Sequence, residues 1–429
     1  MTEVNRLFSF LGVNKCSPCF YERGLQIATE TPFFQFALQE FLKSDGYDLD
    51  EIVLFATRDA QAENGEKFIS ELRRKKISTS YRFVTIPDTV SGQDLWDVFE
   101  FVYNEIHIED RIFFDITHGF RSFPIAVLPM LFFARELKQI DVGGIFYGNY
   151  ESRVERNGSV FAPMDDLTDV LSFLNWTHGV NTFLTTGNAD PIVDLVRQDN
   201  RRERQAGIEK NTHDRSKQIA LTMKSFHRSM ATCRGVSFSQ YASKLMENVN
   251  DALDDGLSYR KPLGKLLEKV QEKMVPFSGD RIMDPYYAVL WCIEHGLIQQ
   301  AYTMLHEHVI TVVCLLVSED STHPATRQRV SSSILNVSSR GKEGRDAPRE
   351  LTQRVSIALQ PYDQAYGTID ALRKYRNDLN HAETTHGSAK PERIENRISE
   401  FADALGPIFL AIKDDLTQDI KRQSLRRGD

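Results

Sequence analysis

Two short stretches of this chain hold residue types that do chemistry at a useful spacing. The first is Asp115 to Ser122, reading DITHGFRS, in which Asp115, Thr117, His118 and Arg121 crowd around Gly119. It falls where an apolar run ends and an amphipathic helix is expected to begin. A helix start offers unpaired N–H groups and partial positive charge, a glycine lets backbone approach a ligand closely, and an arginine matches phosphate as a fork. That combination suits a phosphate ester. On spacing alone a second reading stands beside it, in which Asp115 and Thr117 cap the helix and His118 is a surface residue.

The second stretch is Arg376 to His381, reading RNDLNH, at the end of a helix whose core face is Leu372, Tyr375 and Leu379. Metal-free RNA cleavage needs a group that moves protons near neutral pH and a fixed cation for the charge that builds on phosphorus. His381 and Arg376 meet those needs. Asn377 and His381, four apart, share a helix face, whereas Arg376 lies about 140° around from His381 on a regular helix. Arginine and histidine therefore converge only if the helix ends or kinks there, or if a second copy faces the first. Taken alone, the pair also reads as a solvated helix surface.

The elements that position these residues follow from hydrophobic pattern. Leu7 to Leu11, Ile52 to Phe55, Phe83 to Ile86, Ile112 to Ile116 and Gly144 to Tyr147 read as buried strands. Helical stretches lie between them. The clearest starts at Ser91 and aligns Leu95, Val98, Phe99, Val102 and Ile106; another, Glu63 to Lys75, aligns Phe68, Ile69 and Leu72. Strands alternating with helices imply a doubly wound parallel α/β sheet of Rossmann-like type, which binds ligands beyond the carboxyl ends of its strands.

From about Asp165 the pattern turns helical. Arg197 to Lys217 is highly charged and reads as a solvated helix or linker. Ser318 to Glu350, serine-rich and poor in apolar residues, reads as a long insertion without a core of its own. The flanking helices are Tyr286 to Val317 and Arg349 to Leu379, and a last helix, Arg393 to Leu416, precedes a basic tail. The resulting division is a sensor-like domain over 1–180, a helical connector over 181–283 and an all-helical domain over 284–429.

Composition narrows the classes. With 429 residues, 41% hydrophobic and 26% charged, the chain reads as globular and multidomain. A net charge of −8 argues against general coating of nucleic acid but leaves room for a locally basic site. No apolar run approaches the roughly 18 residues of a membrane span, and the start shows no secretory signal, so a cytoplasmic protein is expected. Cys16 and Cys19 have the spacing of half a zinc site without a second half, and the five cysteines form no framework. His306 and His308 sit about 200° apart on a helix and cannot chelate one ion. Phosphate loops, nucleophile elbows and dinucleotide fingerprints are missing too, and no cofactor or metal is expected.

Taken together, these stretches resemble the CRISPR-associated proteins of the DxTHG-motif group, which join a CARF sensor domain to a HEPN ribonuclease domain. Asp115 to Ser122 carries the likeness, with Ser9 to Gly12 (SFLG), Tyr147 to Glu151 (YGNYE) and Arg376 to His381. The resemblance implies an N-terminal CARF domain that binds a cyclic oligoadenylate activator, commonly cyclic tetra-adenylate, made by type III CRISPR effectors. It implies a C-terminal HEPN domain that then cleaves single-stranded RNA without metal and leaves 2′,3′-cyclic phosphate ends.

By position, Asp115, Thr117, His118, Gly119, Arg121 and Ser122 would form the messenger loop, helped by Gly12, Val13, Asn14 and Thr57. Arg376 and His381 would be catalytic, with Asn377 in the polar place that follows the arginine. One departure is that Val13, Asn14 and Lys15 stand where a small residue and a glycine are expected. A homodimer is the implied minimum, with a hexamer as a higher assembly. The competing readings are a nucleotide-sensing regulator or scaffold with a non-catalytic helical output, and a sensor that also degrades its messenger.

Overall fold

The structure is a computed structural model and describes residues 4–87, 92–118, 123–205, 213–235, 237–254, 261–338, 347–384 and 387–427. The chain divides into two compact units, the first comprising Met1–Asn175 with Arg201–Ile208 and the second Trp176–Asn200 with Glu209–Asp429.

The first unit carries nine strands: β1 (Asn5–Leu11), β2 (Phe20–Arg23), β3 (Gln26–Ile27), β4 (Glu51–Ala56), β5 (Ser80–Thr85), β6 (Arg111–Asp115), β7 (Asp141–Gly148), β8 (Val154–Arg156) and β9 (Ser159–Asp166). Helices α1 (Phe34–Ser44), α2 (Arg58–Arg74), α3 (Gly92–Glu105) and α4 (Phe123–Lys138) separate them. The five strands expected from apolar runs are β1, β4, β5, β6 and β7. They are parallel and lie in the order β5-β4-β1-β6-β7.

Side-chain alternation along these strands feeds two cores. Leu7 and Leu11 of β1, Ile52 and Leu54 of β4 and Phe113 of β6 join a cluster with Phe34 and Leu38 of α1 and Phe68 of α2. Phe8, Phe10, Val53, Phe55, Ile112 and Phe114 face the other way, onto Val98 and Val102 of α3 and Met130 and Leu131 of α4. A strand buried on both faces must be apolar throughout, which is why β1, β4 and β6 read as continuous runs.

The sheet as a whole is mixed rather than purely parallel. β9 runs antiparallel to β7, β8 pairs β9 antiparallel, and β2 pairs β9 in parallel and β3 antiparallel. The β8–β9 hairpin turns at Asn157 and Gly158, both with positive φ (52° and 77°). An Asn-Gly pair is the residue choice that such a turn favours.

The second unit is helical: α5 (Thr168–Thr186, within which the division falls), α6 (Asp190–Gln205), α7 (His213–Ala231), α8 (Ser237–Asp254), α9 (Lys261–Met274), α10 (Met283–Glu294), α11 (Ile298–Leu316), α12 (Pro324–Ser338), α13 (Arg349–Leu359), α14 (Ala365–Asn380) and α15 (Pro391–Arg427). One hydrophobic core runs from Trp176 to Ile412. Residues of the stretch 181–283 contribute to this core. The apolar faces of α7 and α8 need covering, and Phe226 finds Trp291 of α10 at 5.0 Å and Phe277 at 5.7 Å.

The polar stretch 318–350 also departs from expectation. It contains α12, whose Val330 and Ile334 are four apart and buried in the same core. Two well-placed apolar residues anchor a helix whose overall composition argues against one. Likewise the expected helix Tyr286 to Val317 is broken at Gly296 (φ 69°) into α10 and α11.

His308 of α11 is fully enclosed, and burial pushes its ring from the usual 6.5 down to about 4. Below 6.5 the unfolded chain takes up a proton that the folded chain refuses. The stabilisation from a neutral His308 is thus whole above that pH and is lost as pH falls toward 4, by roughly 3 kcal/mol. Denaturant titrations across a pH series should show this decline, and His308→Gln should flatten it; an unchanged slope would contradict a neutral buried ring.

Candidate functional site

Chain topology brings the first constellation to one place. β1 pairs with β4 on one side, Leu11 opposite Ala56, and with β6 on the other, Ser9 opposite Asp115. The connections leave β1 toward β4 and β5 in one direction and toward β6 and β7 in the other, so the switch point lies between β1 and β6. The loops that leave these two strands touch there. A Cβ on Gly12 would sit 3.2 Å from the His118 carbonyl oxygen, tighter than side chains tolerate without a shift.

Neighbouring residues hold the first loop. Asn64 of α2 donates its amide N–H groups to the carbonyls of Gly12 (2.8 Å) and Asn14 (3.0 Å). Val13 and Asn14 are exposed beyond it. Thr57 is buried and caps α2, its hydroxyl accepting from the Ala60 N–H at 3.1 Å. A capping role accounts for Thr57 without a ligand.

Asp115 lies at the centre. Its carboxylate accepts from the Ser9 hydroxyl (2.7 Å) and from both the backbone N–H (2.8 Å) and hydroxyl (2.5 Å) of Thr117. Gln35 of α1 donates to Ser9 in turn (2.8 Å), and the Gly148 N–H at the end of β7 donates to the Thr117 hydroxyl (2.8 Å). Burial pushes the Asp115 carboxyl above its ordinary range, with His118 and the three donors pulling the other way. Burial also pushes the His118 ring below its usual range, with Asp115 pulling the other way, and among the described residues Nε2 has no hydrogen-bond partner.

This geometry separates roles that the motif runs together. Asp115 is enclosed and Thr117 is bonded on both sides, so they set the loop's shape, whereas His118 keeps an uncommitted nitrogen. Gly119, Arg121 and Ser122 lie outside the described residues. Ser9 entered the sequence reading only as part of the SFLG motif, and Gln35 and Asn64 not at all. The available signal was a lone serine within the apolar run of β1, since a buried hydroxyl requires a partner.

In the second constellation, α14 is seated by Leu372 in the core and by Tyr375, stacked on Tyr302 (6.4 Å, 9°) and edge-on to Phe401 (5.7 Å). The helix ends at Asn380, and His381 is the residue just past it, its N–H donating to the Asn377 carbonyl at 3.0 Å. Ala382 and Glu383 then take left-handed φ values of 48° and 62°. The Asp378 carboxylate accepts from the Ala389 N–H at 2.8 Å, which ties down the returning chain.

Because His381 still closes a helical turn on Asn377, Arg376 and His381 keep the roughly 140° separation of a regular helix within one chain. Arg376 is half-buried, its Nη1 is 3.3 Å from the Asn377 side-chain oxygen, and its Nε has no partner. His381 is exposed. Among the described residues no hydrogen bond joins Arg376 to the His381 ring. Two further cations approach from α15: Arg393 and Arg397 lie over the Tyr375 ring at 6.0 and 5.8 Å. Their i, i+4 spacing was visible in sequence; their nearness to α14 was not.

Cys16 and Cys19 are free thiols, and burial pushes Cys19 up to about 11, so it resists ionisation. Among the described residues no group of three His, Cys, Asp or Glu could hold a metal. No described helix is long and apolar enough to cross a membrane.

Comparison with known proteins adds a likeness of defined extent. Residues 172–276 match the family model described as CRISPR-associated protein MJ1674, second domain. The chain is also similar to CRISPR-associated protein MJ1674 of Methanocaldococcus jannaschii, 24% identical over 365 residues, which cover 83% of this chain and 51% of that protein. The chain therefore spans about half the length of the curated relative it matches. The segment matched by the family model overlaps most of the stretch 181–283 that the sequence pattern had marked as a connector.

The Asp115 network makes a direct prediction. Thr117→Val leaves the Gly148 N–H and one Asp115 oxygen short of a partner, which should cost about 1–3 kcal/mol, whereas Thr117→Ser should restore it. Urea titration of the purified protein measures both.

Proposed function

We propose that this protein is a single-stranded endoribonuclease of type III CRISPR defence, switched on by a cyclic oligoadenylate, with cyclic tetra-adenylate the first candidate. The observation that carries the reading is the meeting of the Gly12 and His118 loops at the sheet's switch point, in a chain that also places Arg376 and His381 about the end of one helix. Similarity to a CRISPR-associated protein supports the biological setting.

In this reading the substrate ribose supplies the nucleophile. The 2′-oxygen attacks the adjacent phosphorus, losing its proton to a base, while the 5′-oxygen departs and takes up a proton. Only a cyclic phosphate and a new 5′-hydroxyl result, so no water is consumed in the cut. His381 moves the protons, Arg376 neutralises the charge that builds on the phosphoryl oxygens, and Asn377 holds the Arg376 fork. Arg393 and Arg397 add local positive charge to a chain whose net charge is −8.

A second copy completes the scheme. A ring of identical adenylates presents the same groups to two identical loops, which suits a two-fold axis. Trp96 of α3 and Phe133 and Leu137 of α4 are exposed, and Phe99 bridges them, 5.9 Å from Trp96 and 5.7 Å from Phe133. A continuous apolar face of this kind is what a homodimer covers.

In a chelator-containing assay with cyclic tetra-adenylate and a single-stranded reporter, His381→Ala should abolish cleavage while leaving messenger binding intact. Arg376→Ala should slow cleavage by on the order of a hundredfold or more. Undiminished cutting by either variant would sink the catalytic assignment; salt-sensitive DNA binding without RNA turnover would favour a regulator instead. Trp96→Asp should shift the protein to monomer in sedimentation and remove the activity with it.

A further inference from the structure

The start of α15 is tied to the end of α14 by two hydrogen bonds. The Ala389 N–H donates to the Asp378 carboxylate at 2.8 Å, and the Tyr302 hydroxyl donates to the Ile394 carbonyl at 2.8 Å. Tyr302 also stacks on Tyr375, the residue before Arg376. The first turn of α15 is therefore held beside Arg376 by the fold.

Two guanidinium groups of this segment lie over the Tyr375 ring, and their surroundings differ. Arg397 is half-buried, pairs with Glu400 and also covers the Phe401 ring at 4.7 Å. Its charge is matched. Arg393 is exposed, lies 6.0 Å from the Tyr375 centroid and has no carboxylate partner among the described residues. At about 100° per residue, its neighbours Glu392 and Glu395 lie about 100° and 160° away around the helix. Glu400, on its own face, is taken by Arg397. Lys390, exposed at the helix start, adds a second positive charge.

A guanidinium stacked on an aromatic ring keeps its N–H edge free, and a fork already held in place loses little freedom when it bonds an anion. Such a fork matches the oxygens of a phosphate. Single-stranded RNA carries a phosphate at every linkage, so a strand being cut at Arg376 and His381 brings a neighbouring phosphate past the start of α15.

We infer that Arg393 holds a phosphate flanking the linkage that is cut, so that the substrate is a strand extending at least one phosphate beyond that bond. The inference rests on the ribonuclease reading and adds a subsite to it. Arg376 meets the phosphate that reacts, and Arg393 meets one that does not. A contact made equally before and during the reaction lowers KM and leaves the chemical step alone.

The test uses three substrates with a single cleavable linkage, in the presence of cyclic tetra-adenylate and chelator. One is a dimer, a ribonucleotide followed by a deoxynucleotide; the others are trimers with a further deoxynucleotide on the 5′ or the 3′ side. One trimer should be cut with a kcat/KM about tenfold above that of the dimer, the gain falling on KM. Arg393→Gln should remove that advantage, and Arg393→Lys, which keeps the charge without the fork, should recover part of it. Arg393 is exposed, so neither change disturbs the core. A second measurement is binding of a longer single strand by His381→Ala protein, where adding Arg393→Gln should reduce the slope of log affinity against log salt by about 0.7. If neither trimer is cut better than the dimer, or Arg393→Gln keeps the trimer advantage, the subsite is overturned. A parent protein that cuts no longer single strand would instead sink the ribonuclease reading, and the subsite with it.

Discussion

Asp115 ends its strand inside the protein, where a carboxylate is costly unless donors surround it. Three donors from two segments do so: the Ser9 hydroxyl from β1 and the hydroxyl and N–H of Thr117. Thr117 in turn receives the Gly148 N–H, and Ser9 receives Gln35, so strands β1, β6 and β7 and helix α1 are joined through one buried group. The path of the loop after β6 follows from this, and so does the position of His118 beside Gly12. A motif that looks like a ligand-binding string is, at its first and third residues, a device for shaping backbone.

The helical unit depends on a different constraint. Its core is continuous from α5 to α15, so α14 is held by Leu372 and Tyr375 while its last turn projects Arg376 and Asn377. That helix carries Arg376 and Asn377 in its last turn and His381 just past its end. It stops at Asn380, followed by two residues with left-handed backbone.

Sequence pattern was most informative where burial is two-sided. All five parallel strands were legible; in β1, β4 and β6 both faces are apolar and the phenylalanines leave little choice of state, whereas β5 at the sheet edge is only partly buried. The strands β2, β3, β8 and β9 were not, the first three being short and β9 only partly buried, although Asn157-Gly158 was a usable hairpin signal. Composition misled over 318–350, because average polarity hides Val330 and Ile334 at helical spacing.

The amino-acid sequence alone determined the α/β-then-helical order, the parallel core strands and the residue types in both candidate sites, since local periodicity and side-chain chemistry need no partner to be read. Only the tertiary structure decided which of those residues are free to act. Asp115, Thr57 and Thr117 are engaged by the fold, while His118 and Arg376 each keep a nitrogen without a partner among the described residues. Whether a polar group is available depends on what distant segments place beside it, and hydrogen bonds from Ser9, Gln35 and Gly148 to one loop are not written in any local pattern.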